Sequence, residues 1–235
     1  YKKLFKFDSM FGLEEYKSPK VWGWGATDHS VLRNALDTIL RSPKKKELIS
    51  INLMDTHPPY YSDERTDEIE SKMLKSLNTL DSNIKSFVDS LKESEVWDDT
   101  LIILTSDHSP NHGDYLKWSS VDNYEPSRLP LYFLGGSAQT KLLNTLDRSS
   151  LYSQLDLTPT ILTLFPVNKR FLGSSMFKAS RSKSRKHIPV IFSRKLCLQS
   201  LKALNCGEST ISNILDTSVD LSERALSKLI NNNFF

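Results

Sequence analysis

The stretch LIILTSDHSPNH, Leu101 to His112, is where an apolar run stops abruptly on Ser106, Asp107 and His108. Four apolar residues in a row, β-branched at the centre and bounded by acids, predict a strand. Such a run is apolar on both faces, which points to a central strand covered by helices on each side. In open α/β sheets ligands gather beyond the carboxyl ends of the strands, which is where Asp107 and His108 fall. Consecutive residues on a strand face opposite ways, so the two side chains reach one point only if the chain turns there. Ser109 and Pro110 supply residues that favour a turn. A carboxylate beside an imidazole suits Zn²⁺, Mn²⁺ or a similar divalent ion, but two ligands do not complete a site. A histidine at a strand end reads equally well as a polar cap.

Upstream, INLMDTHPPYY (Ile51 to Tyr61) repeats the pattern: a polar lead, a short apolar run, then Asp55 and His57. It predicts a second buried strand ending in an Asp/His pair, with Pro58 and Pro59 making a rigid turn. ATDHSVLRNALDTILRS predicts a helix capped by Thr27 or Asp28, with Val31, Leu32, Ala35, Leu36, Ile39 and Leu40 on one face. His29, just inside its start, reads as a surface or capping residue. From Asp63 to about Trp97 a longer helix is expected, its stripe running through Ile69, Met73, Leu77, Leu80, Ile84, Val88 and Leu91. Asp81 lies at the edge of that stripe.

Downstream, RLPLYFLGG predicts a strand closed by Gly135 and Gly136. SQLDLTPTILTLF predicts a helix with Pro159 in its first turn, where a missing N–H costs nothing. HIPVIFS predicts one more strand, and DLSERALSKLINN a terminal helix. Alternation of helix and apolar strand is the signature of a layered α/β domain. The expected architecture is an α/β/α sandwich with a mostly parallel central sheet. Residues 1–195 form its main body, and 196–235 a C-terminal extension.

At 235 residues, 38% hydrophobic and 25% charged, the chain is long enough for a substantial core. No window of about 18 apolar residues occurs. The first residues lack a signal-peptide core and an initiator Met, so a fragment or processed piece is the expectation. Net charge +3 conceals an asymmetry: from Pro166 to Lys195 there are nine Lys/Arg and no Asp/Glu, leaving 22 basic against 28 acidic residues elsewhere. Such a block suits phosphates or lipid headgroups, or is a solvated loop. Its core, KASRSKSRKH, has no aromatics to stack on bases, so nucleic acid is not favoured as a partner. Cys197 and Cys206 are too few for a disulfide framework or a four-ligand zinc site; one local disulfide and two free thiols both stay open. There is no G-x-G-x-x-G or P-loop, which argues against a nucleotide-binding domain.

Taken in order, WGWGATDHSVL, DTHPPYY, the long helix, VWDDTLIILTSDHS, RLPLYFLGG and LDLTPTILTLF with FLGSSMF resemble the C-terminal part of the alkaline phosphatase/sulfatase superfamily. The resemblance covers roughly Trp22 to Phe177 and is strongest to lipoteichoic acid synthases, phosphoethanolamine transferases and sulfatase-like hydrolases. It implies a metal-dependent phosphoester or sulfate-ester hydrolase or transferase. Asp107 and His108 match the pair that ligates the catalytic divalent metal (Zn, Mn, Ca or Mg), and His57 matches the histidine that contacts the phosphate or sulfate group. His112 is the nearest candidate for a further substrate histidine, although its spacing departs from the family's. Asp81 and DLTPTIL match structural positions. Ser109 stands where the family usually has Gly, and the family's nucleophile motif, carried in the N-terminal half, is not found in this chain. The resemblance further implies a lipid headgroup or glycan ester as substrate and an extracytoplasmic site, periplasmic or at the cell surface. Membrane anchoring would then come from a segment outside this chain. The alternative is a catalytically inactive sulfatase-fold domain serving as a binding or scaffold module.

Overall fold

The computed structural model describes residues 8–17, 19–23, 25–41, 46–61, 69–108, 129–146, 151–166, 173–177, 188–192, 195–199 and 204–210. His112, Ser109, His187 and the expected terminal helix lie outside them. The chain divides into two compact units. One comprises Tyr1–Leu101, Gly113–Leu116 and Gly135–Gln139; the other comprises Ile102–His112, Lys117–Leu134 and Thr140–Phe235.

The first unit opens with a small antiparallel ribbon, β1 (Val21–Trp22) against β2 (Gly25–Ala26), closed around Gly25 at φ 125°. A positive φ of that size is readily available only to glycine. Helix α1 follows, Asp28–Arg41. Its N-cap is Thr27, whose Oγ1 accepts the Ser30 amide at 3.4 Å, so of the two candidate caps the threonine serves. Helix α2 spans Ile69–Lys92 and packs on α1; it ends before the expected Trp97, and residues 63–68 of the expected helix lie outside the described residues. Met73, Phe87, Val88 and Leu91 form the buried core here with Leu32 of α1, Leu91 being wholly enclosed. Leu77, expected in the stripe, is 42% exposed, and Asp81 is exposed as well.

The strand expected over residues 51–54 does not form. Among the described residues no strand pairs with it, and Leu48 and Ile49 before it are exposed. An apolar run specifies burial, not a hydrogen-bonding neighbour. The unit ends in a 3₁₀ turn, Trp97–Asp99, against a second one, Ser137–Gln139. Ser137 donates to Asp98 Oδ1 through its amide (3.2 Å) and its hydroxyl (2.9 Å). A Cβ at Gly136 would come within 2.3 Å of the Trp97 carbonyl oxygen, which explains the glycine that closes RLPLYFLGG.

β3 (Leu101–Thr105), which belongs to the second unit from Ile102 on, pairs with β4 (Leu131–Gly135), which belongs to it up to Leu134. β3 is half-buried along its apolar run, where full burial was expected. Along β4 burial alternates, with Tyr132 and Leu134 outward and Phe133 turned in. Phe133 meets Phe177 edge-to-face at 5.6 Å. A short helix α3, Thr140–Leu143, precedes a 3₁₀ turn Gln154–Asp156 that leads into α4, Leu157–Leu162, with Pro159 in its first turn as expected. Asp156 is fully buried: Oδ2 accepts the Ser153 amide (2.9 Å) and Oδ1 the Ser174 amide (2.7 Å). Thr160 Oγ1 accepts the Met176 amide at 2.9 Å, so the segment Gly173–Phe177 is clasped along α4 by two side chains. Three antiparallel strands complete the unit in the order β5 (Ile188–Phe192), β6 (Lys195–Gln199), β7 (Leu204–Thr210). The sequence indicated only β5; LKALNCGEST carries too little alternation to mark β7.

Candidate active site

Two clusters carry the candidate residues, one in each unit. In the second unit, β3 ends at Thr105 and the chain turns at once. The His108 amide donates to Asp107 Oδ1 at 2.8 Å, and Ser106 Oγ donates to the His108 carbonyl at 2.7 Å. Gln154 reaches over from the turn before α4, its Nε2 donating to the carbonyls of both Ser106 and Asp107. These bonds replace the strand's alternation with a tight bend. Both side chains are therefore exposed, and Asp107 Oδ2 lies 3.5 Å from His108 Nε2. That separation is long for a hydrogen bond but suits two donors of a single cation. Ligand bonds of about 2.0–2.2 Å at a tetrahedral angle place neighbouring donors roughly 3.3–3.6 Å apart. Donor chemistry and spacing both fit part of a divalent-metal shell. Among the described residues no cluster of three His, Cys, Asp or Glu side chains occurs, so within them the pair would offer a cation two donors only.

In the first unit, His57 sits in the loop after Asp55 and is exposed. Its backbone is pinned on both sides: its amide donates to the Met54 carbonyl (3.0 Å), and its carbonyl accepts the Tyr60 amide (2.8 Å). Tyr60 holds φ 62°, a left-handed conformation that costs a non-glycine residue on the order of 1 kcal/mol or more. His57 Nδ1 lies 2.8 Å from the Pro58 carbonyl oxygen. A carbonyl can only accept, so Nδ1 carries the proton.

Asp55, paired with His57 in the sequence reading, has a different place. It is buried, and its Oδ2 accepts the Asp28 amide at the start of α1 (3.0 Å). Asp28 returns the contact: its Oδ1 accepts the amides of Met54 (2.6 Å) and Asp55 (3.1 Å). The Asp55 carbonyl in turn accepts Ser76 Oγ of α2 (2.6 Å) and the Tyr61 amide (2.9 Å). The loop carrying His57 is thus tied to both helices through one buried residue. Asp28 is fully buried with Oδ2 unsatisfied, and burial raises its carboxyl above the ordinary aspartate range despite the two amides that favour its charged form. Beside this clasp a cleft of about 280 Å³ is lined by Lys20, Thr27, His29, Asp55, Tyr61, Thr79 and Asn83. His29 is exposed at its mouth, in keeping with a surface role.

Asp107 and His108 lie close together at the bend. His57 belongs to the other unit. Sequence reasoning missed Gln154 and the mutual hold of Asp28 and Asp55. An aspartate at the first turn of a predicted helix was the one available signal for the latter, and it read as a simple cap.

Residues 1–167 match the Sulfatase family. Phosphoglycerol transferase I of Shigella flexneri is 27% identical over 168 residues, covering 63% of this chain and 22% of that protein. The enzyme of the same name from Escherichia coli (strain SMS-3-5 / SECEC) is equally similar. The chain therefore spans about a fifth of the length of these curated relatives. Among solved structures, a protein of the alkaline phosphatase superfamily from Vibrio parahaemolyticus aligns with TM-score 0.61 at 19% identity, covering 88% of this chain and 56% of that one. The lipoteichoic acid synthase LtaP from Listeria monocytogenes aligns with TM-score 0.61 at 15% identity, covering 96% and 64%. The α/β fold of the alkaline phosphatase superfamily, expected from the order of motifs, is the fold of this chain. With more than half of its length matched, the chain belongs to the sulfatase family.

Proposed function

We propose that this chain is part of a metal-dependent phosphoester transferase or hydrolase whose substrate is a phosphoglycerol-type lipid headgroup or glycan ester. The observation that carries the reading is the bend at the end of β3, which sets a carboxylate oxygen and an imidazole nitrogen 3.5 Å apart, both exposed, at the position where α/β sheets bind ligands. Asp107 and His108 would hold the cation. Bound there, a divalent ion would neutralise charge on the ester and lower the pKa of an attacking group. His57, with Nδ1 committed to the Pro58 carbonyl, presents Nε2 to an anionic oxygen and donates to it when protonated. A positioned donor of this kind stabilises charge that develops on the transferred group. Gln154 keeps the bend closed, and the Asp28/Asp55 clasp keeps the His57 loop in place. His112 is a further candidate substrate contact. The nucleophile and the remaining ligands would come from outside this chain, as would a membrane anchor placing the site outside the cytoplasm. Among the described residues no helix is long and apolar enough to cross a membrane.

The test is metal titration of the full-length protein, followed calorimetrically with Mn²⁺ and Zn²⁺. Asp107→Ala and His108→Ala each weaken binding at least tenfold and abolish transfer from a phosphoglycerol ester. Unchanged metal affinity in both variants refutes the assignment and leaves a scaffold role.

A further inference from the structure

The chain contains two cysteines, Cys197 and Cys206, and the β6–β7 ladder sets them directly opposite each other as Cα partners. We propose that these two residues form a cross-strand disulfide that staples β6 to β7. The backbone placement carries the argument. Residues directly opposed in an antiparallel pair share one face of the sheet. Their Cα atoms lie about 5.5 Å apart at a hydrogen-bonded position and about 4.5 Å at a non-hydrogen-bonded one. Both spacings fall within the roughly 4.4–6.8 Å window that a disulfide spans without backbone movement. Register is the discriminating quantity, because a slip of one residue would put the two positions on opposite faces. The pairing continues through Leu198 with Asn205 and Gln199 with Leu204, so the cysteines lie two pairs in from the end of the ladder at residues 199 and 204. On the other side the ladder shifts register between Lys195 and Cys197. A covalent tie at Cys197 and Cys206 would hold the pairing where the hydrogen-bonded ladder is interrupted.

The step is an oxidation. Each thiol gives up one proton and one electron, two S–H bonds break and one S–S bond forms. The electron pair passes to a dithiol–disulfide exchange oxidant, whose own disulfide is reduced to the dithiol. The proposal is independent of the metal and substrate assignments above, since it uses neither Asp107, His108 nor His57.

The full chain, equilibrated in a glutathione redox buffer poised as in oxidising compartments, is quenched with excess N-ethylmaleimide under denaturing conditions. The intact mass is then measured with and without prior reduction. We expect no maleimide adduct before reduction and two after it, on a monomer by non-reducing electrophoresis, with one linked peptide pair containing residues 197 and 206. Reduction lowers the thermal midpoint of the native chain and leaves that of the Cys197→Ser/Cys206→Ser variant unmoved. Two adducts without reduction, or a disulfide-linked dimer, overturns the proposal.

Discussion

Replacing Asp28 tests whether its buried carboxylate is a structural acceptor or a bystander. In Asp28→Ala, the part-buried amide of Met54 and the buried amide of Asp55 lose their common acceptor. A buried donor left unpaired costs about 1–3 kcal/mol, so two cost roughly 2–6 kcal/mol, offset in part because a desolvated charge is removed as well. A net loss of about 2–5 kcal/mol corresponds to a fall of roughly 4–20 °C in Tm for a chain of this size. Asp28→Asn keeps an acceptor oxygen and should stay within about 1 kcal/mol of the parent at neutral pH. The two variants also differ in pH dependence. Burial raises the Asp28 carboxyl in the folded state, so between the ordinary value of 3.8 and that raised value the folded chain holds more proton than the unfolded one. Stability from this group is therefore fully present below 3.8 and is lost as pH rises through the folded pKa. Asp28→Asn removes that slope. Urea unfolding of the three proteins from pH 3.5 to 8 measures both effects. An Asp28→Ala chain within about 0.5 kcal/mol of the parent, or an Asp28→Asn chain that keeps the full slope, would refute the reasoning.

Other substitutions follow the same logic. Thr160→Val leaves the buried Met176 amide without its acceptor and should lower stability by about 1–3 kcal/mol in urea unfolding. Leu91→Ala empties a wholly enclosed site between the helices of the first unit and should cost about 2–5 kcal/mol. Gly136→Ala drives a methyl into the Trp97 backbone and should cost more in Tm than Gly23→Ala, where a Cβ meets nothing within 4 Å. In the full-length protein, His57→Ala should reduce kcat/KM on a phosphoglycerol ester by about 10²–10³ with metal content unchanged, measured by steady-state kinetics and elemental analysis. On the proposed reading, in which the nucleophile is not among these residues, the 235-residue chain alone should show no turnover of nitrophenyl phosphate or nitrophenyl sulfate.

Much of this arrangement was legible before any coordinates. The helices at 28–41 and 69–92, the strands after Thr100 and Pro130, and the proline-bearing first turn of α4 all announce themselves through apolar spacing and local turn chemistry. The place of Asp107 and His108 at the end of β3 was legible from the apolar run that stops before them, although the same pattern reads equally well as a polar cap. What escaped is what depends on partners distant in sequence. The run at 51–54 has the composition of a strand, yet composition cannot say whether a neighbouring backbone is there to pair with it. Asp55 looked like a companion of His57, but whether a carboxylate faces solvent or a helix amide 27 residues earlier is decided by tertiary packing alone. Strands β6 and β7 were hidden because their sequences mix Lys, Gln, Asn and Gly with apolar residues. For such strands the ladder, not the pattern, sets the structure.

The amide of Gln154 reaches the carbonyls of both Ser106 and Asp107, and it does so purely as a donor. Exchanging its nitrogen for oxygen, as deamidation or a single-base change to glutamate would, alters neither volume nor reach. It would nevertheless set a negative charge against two carbonyl oxygens and a neighbouring carboxylate. The position therefore tolerates changes of shape better than a change of one atom.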